Sequence, residues 1–122
     1  MTKKSEIGEK GENYACTYLE NKSYKILNRN YREVFGELDI IALAPDKTLV
    51  FVEVKTMTGS GGFLRPEDQM TAAKLKKFRR VAQFYAGKHE ELINDKKGWR
   101  LDLVAILITD GKPEISHYEN VA

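Results

Sequence analysis

One cysteine, two histidines and three prolines are all that this chain of 122 residues contains of the types that mark stapled, metal-clipped or proline-rich architectures. A lone Cys16 forms no internal disulfide, and with only His89 and His117 beside it no Cys/His set of zinc-finger spacing can be assembled. Few prolines, nine glycines and 42% hydrophobic residues exclude the collagen-like, low-complexity and disordered classes. Long apolar runs are missing as well. The longest, Leu103 to Ile108, has six residues, far short of the ~20 that span a bilayer. The opening Met1-Thr2-Lys3-Lys4-Ser5-Glu6 leads into no apolar signal region. These absences predict a soluble cytoplasmic protein with no membrane partner, organised as one domain over residues 1–122.

Charge of one sign is lacking overall, because 20 Lys and Arg face 18 Asp and Glu. A net charge of +2 does not by itself argue for nucleic acid. The distribution says more: Lys74-Leu75-Lys76-Lys77-Phe78-Arg79-Arg80 carries five bases in seven residues, so a locally basic face can exist on a nearly neutral molecule.

The apolar residues Ile7, Ala15, Cys16, Tyr18 and Leu19 recur near a period of 3.6, which predicts an amphipathic helix from Ser5 to about Asn21. Glu12 is misplaced on it, since 12, 15, 16 and 19 share one stripe; Gly8, one turn earlier, leaves open space beside it. Tyr24 to Tyr31 reads as a strand, Gly36 as a turn, and Leu38 to Leu43 with Thr48 to Val54 as a hairpin around Pro45-Asp46-Lys47. Thr58-Gly59-Ser60-Gly61-Gly62 lacks the Lys and Ser/Thr of a P-loop and reads as a mobile connector. A second helix begins between Pro66 and Thr71 and runs to Ala86 with Gly87 as its stop, burying Leu75, Phe78, Val81, Ala82 and Tyr85 and turning Lys76, Lys77, Arg80 and Gln83 outward. Trp99 to Ile108 reads as a central strand and Pro113 to Tyr118 as a short edge strand. The order αβββαβ predicts an α/β fold, a mixed β-sheet with a helix on each face.

A three-residue loop flanked by Ala44 and Thr48 fixes the hairpin register. Leu38, Ile40 and Ala42 then face Val54, Val52 and Val50 on one apolar side. On the other side Leu43 meets Leu49, Ile41 meets Phe51, Asp39 meets Glu53 and Glu37 meets Lys55. Opposed carboxylates are destabilising unless something compensates. A bound cation would do so: Asp39, Glu53, a backbone carbonyl such as that of Val54, and waters form an all-oxygen set suited to Mg²⁺ or Mn²⁺. Lys55, on the same face, can orient a metal-associated water and offset charge on an attacked phosphate.

Gly36-Glu37-Leu38-Asp39 followed by Val52-Glu53-Val54-Lys55 resembles the Asp…Glu-x-Lys signature of the PD-(D/E)xK nuclease superfamily, the restriction-endonuclease-like fold. The longer pattern adds Gly11-Glu12 with Ala15 and Tyr18-Leu19, Thr71 with Lys74, and Leu101-Asp102-Leu103-Val104-Ala105-Ile106. It resembles the YraN-like bacterial family, related in fold to archaeal Holliday-junction resolvases, over roughly residues 8 to 108. The resemblance implies metal-binding roles for Asp39 and Glu53, a catalytic role for Lys55, a supporting acid in Glu12 and a substrate-side base in Lys74. One departure is Leu38, which stands where the superfamily name has proline. The implied activity is hydrolysis of phosphodiester bonds in DNA, with branched or structured DNA a candidate substrate. Lys74, Lys76, Lys77, Arg79 and Arg80 would contact backbone phosphates, and the resolvase likeness implies a homodimer.

Blander readings stand beside these. Glu37 and Lys55 make a plain cross-strand ion pair, and a two- or four-residue loop would put Asp39 and Glu53 on different faces. Glu12 can be a boundary residue and the basic run a solvated helix face. Asp102 fits a hydrogen-bonding support for the site or a structural strand end, while Cys16 and the histidines read as core or surface residues. A non-catalytic nucleic-acid-binding module is the rival to the nuclease.

Overall fold

The computed structural model describes residues 5–59, 70–94 and 96–121. Helix α1 (Glu6–Asn21) starts at Ser5, whose hydroxyl accepts the Gly8 N–H at 3.0 Å, with Glu6 and Glu9 in the first turn where the helix dipole favours them. Strands β1 (Lys25–Glu33), β2 (Gly36–Leu43) and β3 (Leu49–Thr58) follow as an antiparallel meander. Helix α2 (Ala72–Lys88) is capped by Thr71, and a single 3₁₀ turn at Glu90–Leu92 leads to β4 (Trp99–Thr109) and β5 (Lys112–Tyr118). The sheet order is β1-β2-β3-β4-β5, with β3 and β4 parallel and the other pairs antiparallel. The element order is therefore αβββαββ, the edge strand adding one β to the expected string. This mixed α/β architecture is compatible with a restriction-endonuclease-like fold.

Each face of the sheet carries its own core. On one, α1 packs Ala15, Cys16 and Leu19 against Ile40, Ala42, Val50, Val52, Val104 and Ile106. On the other, α2 packs Phe78, Val81, Ala82 and Tyr85 against Leu38, Ile41, Leu49, Phe51 and Leu101. Helix α1 can sit close because Gly11 has no side chain: a Cβ there would lie 2.8 Å from the Cβ of Thr56 on β3. The close approach is thus at Gly11, and Gly8 serves the helix cap.

Three expectations need correction. Helix α2 runs through Gly87 to Lys88 and is closed by His89, because a glycine in the last turn costs only ~1 kcal/mol and need not stop a helix. Leu75 on α2 is only half-buried, and Ala86 takes a place in the core. Strand β3 extends four residues beyond Val54, since its parallel pairing with β4 continues to Thr58↔Ile108. The glycine-rich connector lies largely outside the described residues, as does the segment before Met70.

The β2–β3 register is the expected one at Leu43↔Leu49, Ala42↔Val50, Ile41↔Phe51 and Ile40↔Val52. Lys47, at φ 74°, closes the three-residue loop in the left-handed conformation that such loops use. Beyond Ile40 the regular ladder ends, so the expected Asp39–Glu53 and Leu38–Val54 pairs are not formed. Leu38 also lies in the α2-side core although Ile40, two residues on, lies in the α1-side core. Residues two apart on a regular strand share a face, so the strand switches faces at Asp39. The neighbouring strand does the same. Arg29 on β1 reaches Asn13 of α1 while Tyr31 stacks edge-on against Tyr85 of α2, and Asn30 between them has φ 54°. Asn30 and Asp39 are the positions skipped in the β1–β2 register, between Arg29↔Ile40 and Tyr31↔Leu38.

Candidate active site

The face switch sets the conformation of Asp39. Its side chain is 4% exposed, and its Oδ2 accepts the backbone N–H of Val54 at 2.8 Å. A side chain of β2 thereby takes the place of a ladder acceptor just where β2 and β3 part. Val54 presents its carbonyl along the same strand edge as its N–H, as any extended residue does. Glu53 and Lys55, either side of Val54, are half-buried and point to the α2 side.

There they line a cavity of about 230 Å³. Its wall includes Glu37 and Gly36 from β2, Leu103 from β4, and Lys74, Lys77, Phe78 and Val81 from α2. Two carboxylates and three ammonium groups converge on an apolar floor. Glu37 is held by Arg32 at 3.2 Å, an exposed pair worth at most ~1 kcal/mol, so its partner is Arg32 and not the Lys55 that the cross-strand reading supplies.

Glu12 is on the opposite side of the sheet. It is 2% exposed in α1, with Arg29 of β1 at 3.7 Å. Burial of a carboxylate needs such a partner. Among the described residues no three His, Cys, Asp or Glu side chains gather as a metal-ligating group, so Glu12, Asp39 and Glu53 do not form a single three-carboxylate set. The oxygen donors in this part of the sheet are the Asp39 carboxylate on β2 and, on β3, the Glu53 carboxylate and the neighbouring Val54 carbonyl. The Asp39 carboxylate, held by the Val54 N–H, is a hard oxygen donor of the kind that divalent cations take. These residues fit Mg²⁺ or Mn²⁺, which take few protein oxygens and keep several waters.

The basic run divides. Lys74 and Lys77 face the cavity, Lys76 and Arg79 are exposed on the helix surface, and Arg80 lies over the ring of Phe35 with its guanidinium carbon 4.7 Å from the centroid.

A second polar cluster was not foreseen in full. Asp102 is completely buried on the α1 side of β4, and its oxygens accept from Arg100 Nε at 3.0 Å, His117 Nε2 at 2.7 Å and the Asn120 N–H at 3.0 Å. Arg100 also reaches Tyr24 and Glu119, each at 2.8 Å, and His117 Nδ1 pairs with the Tyr18 hydroxyl at 3.1 Å. Burial pushes the Asp102 carboxyl up, but the hydrogen bonds from His117, Arg100 and Asn120 and the Arg100 charge outweigh it and hold it below the ordinary carboxylate value. This cluster pins β5 and the residues after it to α1 and β4. The hydrogen bonds of Asp102 run to Arg100, His117 and Asn120, which gives it a structural role at the start of β4. Arg100 and Asp102, two apart on one strand, were visible in sequence as a same-face pair; His117 required the β4–β5 pairing. Cys16 is buried, and burial raises its thiol further from the thiolate that a nucleophile needs.

The family model described as "Uncharacterised protein family UPF0102" matches residues 11–106. This chain belongs to UPF0102. A UPF0102 protein of Alkaliphilus oremlandii is 42% identical over 120 residues, 98% of each chain. One from Geobacter metallireducens is 40% identical over 114 residues, covering 93% of this chain and 89% of the relative. Another, from Persephonella marina, is 42% identical over 100 residues, 82% of each. The family membership carries no stated activity with it. Among the described residues of this member, no helix is long and apolar enough to cross a membrane.

Proposed function

We propose that this UPF0102 protein is a divalent-metal-dependent nuclease, of the PD-(D/E)xK kind, that hydrolyses phosphodiester bonds in cytoplasmic DNA. The observation that carries this reading is the bond from the Val54 N–H to Asp39 Oδ2, which fixes a buried carboxylate beside the strand that presents Glu53 and Lys55 to a base-lined cavity. Asp39, Glu53 and the Val54 carbonyl would hold Mg²⁺ or Mn²⁺. When bound, the ion supplies Lewis-acid polarisation of a phosphate and a water of lowered pKa.

The chain's own residues do the rest. Lys55 donates to a phosphate oxygen or to the attacking water, and in a half-buried site its charge acts with less screening than at an open surface. Lys74 and Lys77 on the cavity wall hold the neighbouring phosphates. Phe78, Val81 and Leu103 line the apolar side and limit water. Glu12, buried in α1 beside Arg29, would support the metal or a base near it. Exposed Lys76 and Arg79 extend the phosphate path along α2. Cutting two strands together would take two copies, as a homodimer provides.

A non-catalytic nucleic-acid-binding module is the rival reading, favoured by the Lys74 and Lys77 side of the cavity, which can hold phosphates with or without turnover. The test is incubation of the purified protein with linear, single-stranded and branched DNA in Mg²⁺, Mn²⁺ or EDTA. Cleavage that needs the metal and is lost in Glu53→Gln supports the nuclease; metal-independent binding without cleavage supports the module.

A further inference from the structure

The hairpin between β1 and β2 is closed by two residues, Val34 and Phe35, between the paired Glu33 and Gly36. Two-residue hairpin turns strongly favour Asn-Gly, Asp-Gly or a leading Gly, and this one carries two apolar, strand-preferring residues with neither at positive φ. Gly36, which follows the turn, has φ 156°, and a Cβ there would come within 2.6 Å of Val81 Cγ2. A turn that ignores its own chemistry points to a use for its side chains.

The two side chains are used differently. Phe35 is anchored: its ring meets Phe84 of α2 edge-on at 5.3 Å and lies under the guanidinium of Arg80, while Lys88 lies over Phe84 at 4.4 Å. Val34 projects from this brace with a relative exposure of 103%, against 42% for Ile7, the other large exposed hydrophobic among the described residues. The flanking acids are occupied, Glu33 by the Tyr31 hydroxyl at 2.6 Å and Glu37 by Arg32. The tip is thus an apolar point on an aromatic and cationic base, and the two residues after it, Gly36 and Glu37, line the cavity.

We infer that the Val34 tip is a wedge that enters an opened base step of duplex DNA whose phosphates lie against α2 and the cavity. The inference rests on the nucleic-acid reading of that cavity. An apolar wedge gains by leaving water for the faces of unstacked bases, and a braced hairpin spends little entropy on presenting it. The energetic obstacle is unstacking, which is least where pairing is already interrupted. The preferred ligand is accordingly a duplex with an unpaired step.

The experiment is binding in EDTA, so that no cleavage is read, to a fully paired duplex and to the same duplex with a two-base bulge carrying 2-aminopurine. The wild-type protein is expected to bind the bulged duplex roughly tenfold more tightly and to raise the 2-aminopurine fluorescence. Val34→Ser should lose both effects at an unchanged melting temperature, and Val34→Leu should retain them. Equal affinity of the wild type for the two duplexes, or a Val34→Ser protein that keeps the preference and the fluorescence change, overturns the wedge. So does a Val34→Ser variant whose only change is weaker self-association in sedimentation, which would make the tip a protein contact. A wedge that works in a protein unable to cleave removes the nuclease and leaves this inference, whereas cleavage with no dependence of binding on Val34 does the opposite.

Discussion

Asp39 of β2 and Asn30 of β1 stand opposite one another at the one point where both strands change face, and that shared irregularity is what frees the Asp39 carboxylate to bond the Val54 N–H. In a regular ladder Asp39 would point into the α2-side core and meet Glu53 directly, at the cost that like charges impose. The switch removes that clash and still leaves Asp39 and Glu53 on adjoining strands.

Asn30 at φ 54° is in a region that asparagine and glycine tolerate and β-branched residues do not. Asn30→Gly should unfold within ~1 kcal/mol of wild type, while Asn30→Val should lose roughly 1–2 kcal/mol. Urea titration of the three proteins checks this; equal stability of the valine variant would remove the backbone argument for the face switch.

At Gly11 an added Cβ meets Thr56, so Gly11→Ala should destabilise by about 1–3 kcal/mol through overpacking, despite alanine's better helix propensity. Adding Thr56→Ala should recover part of the loss. A Gly11→Ala melt at or above the wild-type midpoint contradicts the close approach of α1 to β3.

The Asp102 carboxyl is held below its ordinary value of 3.8, so its contribution to stability is fully present above that value and is lost as pH falls through the lowered folded value. The wild type should therefore lose stability in acid, and Asp102→Asn should flatten that acid limb. Asp102→Ala should cost about 3–5 kcal/mol near neutral pH, because it strands the buried Arg100 and His117 donors. Chemical denaturation from pH 3 to 7 reads both effects; parallel curves for wild type and the asparagine variant would contradict the assignment.

Much of this fold was legible because its signals are local. The Ser5 cap, the 3.6-residue stripe of α1, the three-residue loop at Pro45-Asp46-Lys47 and the six-residue apolar run of β4 are each written within a few residues. The hairpin arithmetic held as far as Ile40↔Val52 and failed at Asp39, since alternation assumes a regular strand and the break depends on Asn30 in a neighbouring strand. Glu53 and Lys55 were placed on one face by that arithmetic, and the cavity confirms the shared side. The partners of Asp102, the Arg29 beside Glu12 and the stacking of Arg80 on Phe35 are long-range contacts that only the assembled sheet brings together.

A divalent ion that binds only the folded protein should raise its stability by about 2.7 kcal/mol at a hundredfold excess over Kd. Asp39→Asn should abolish that gain while barely changing stability without metal, because the amide oxygen can still accept the Val54 N–H. Thermal melts with and without Mg²⁺ or Mn²⁺ check this, and a wild-type midpoint that the metals leave unmoved counts against the ligand set.

The most direct test of the central claim is the separation of cleavage from binding at Lys55, which shares its cavity with Glu53, Lys74 and Lys77. Cleavage in Mg²⁺ and affinity in EDTA would be measured for the wild type, Lys55→Ala and the Lys76, Lys77 and Arg79 triple alanine variant. The account predicts that Lys55→Ala loses cleavage with nearly unchanged affinity, and that the triple variant binds more weakly with a log–log salt slope reduced by about 0.9 for each lost phosphate contact. A wild-type protein that binds DNA with a normal salt slope yet cleaves no linear, single-stranded or branched substrate with Mg²⁺ or Mn²⁺ would contradict it.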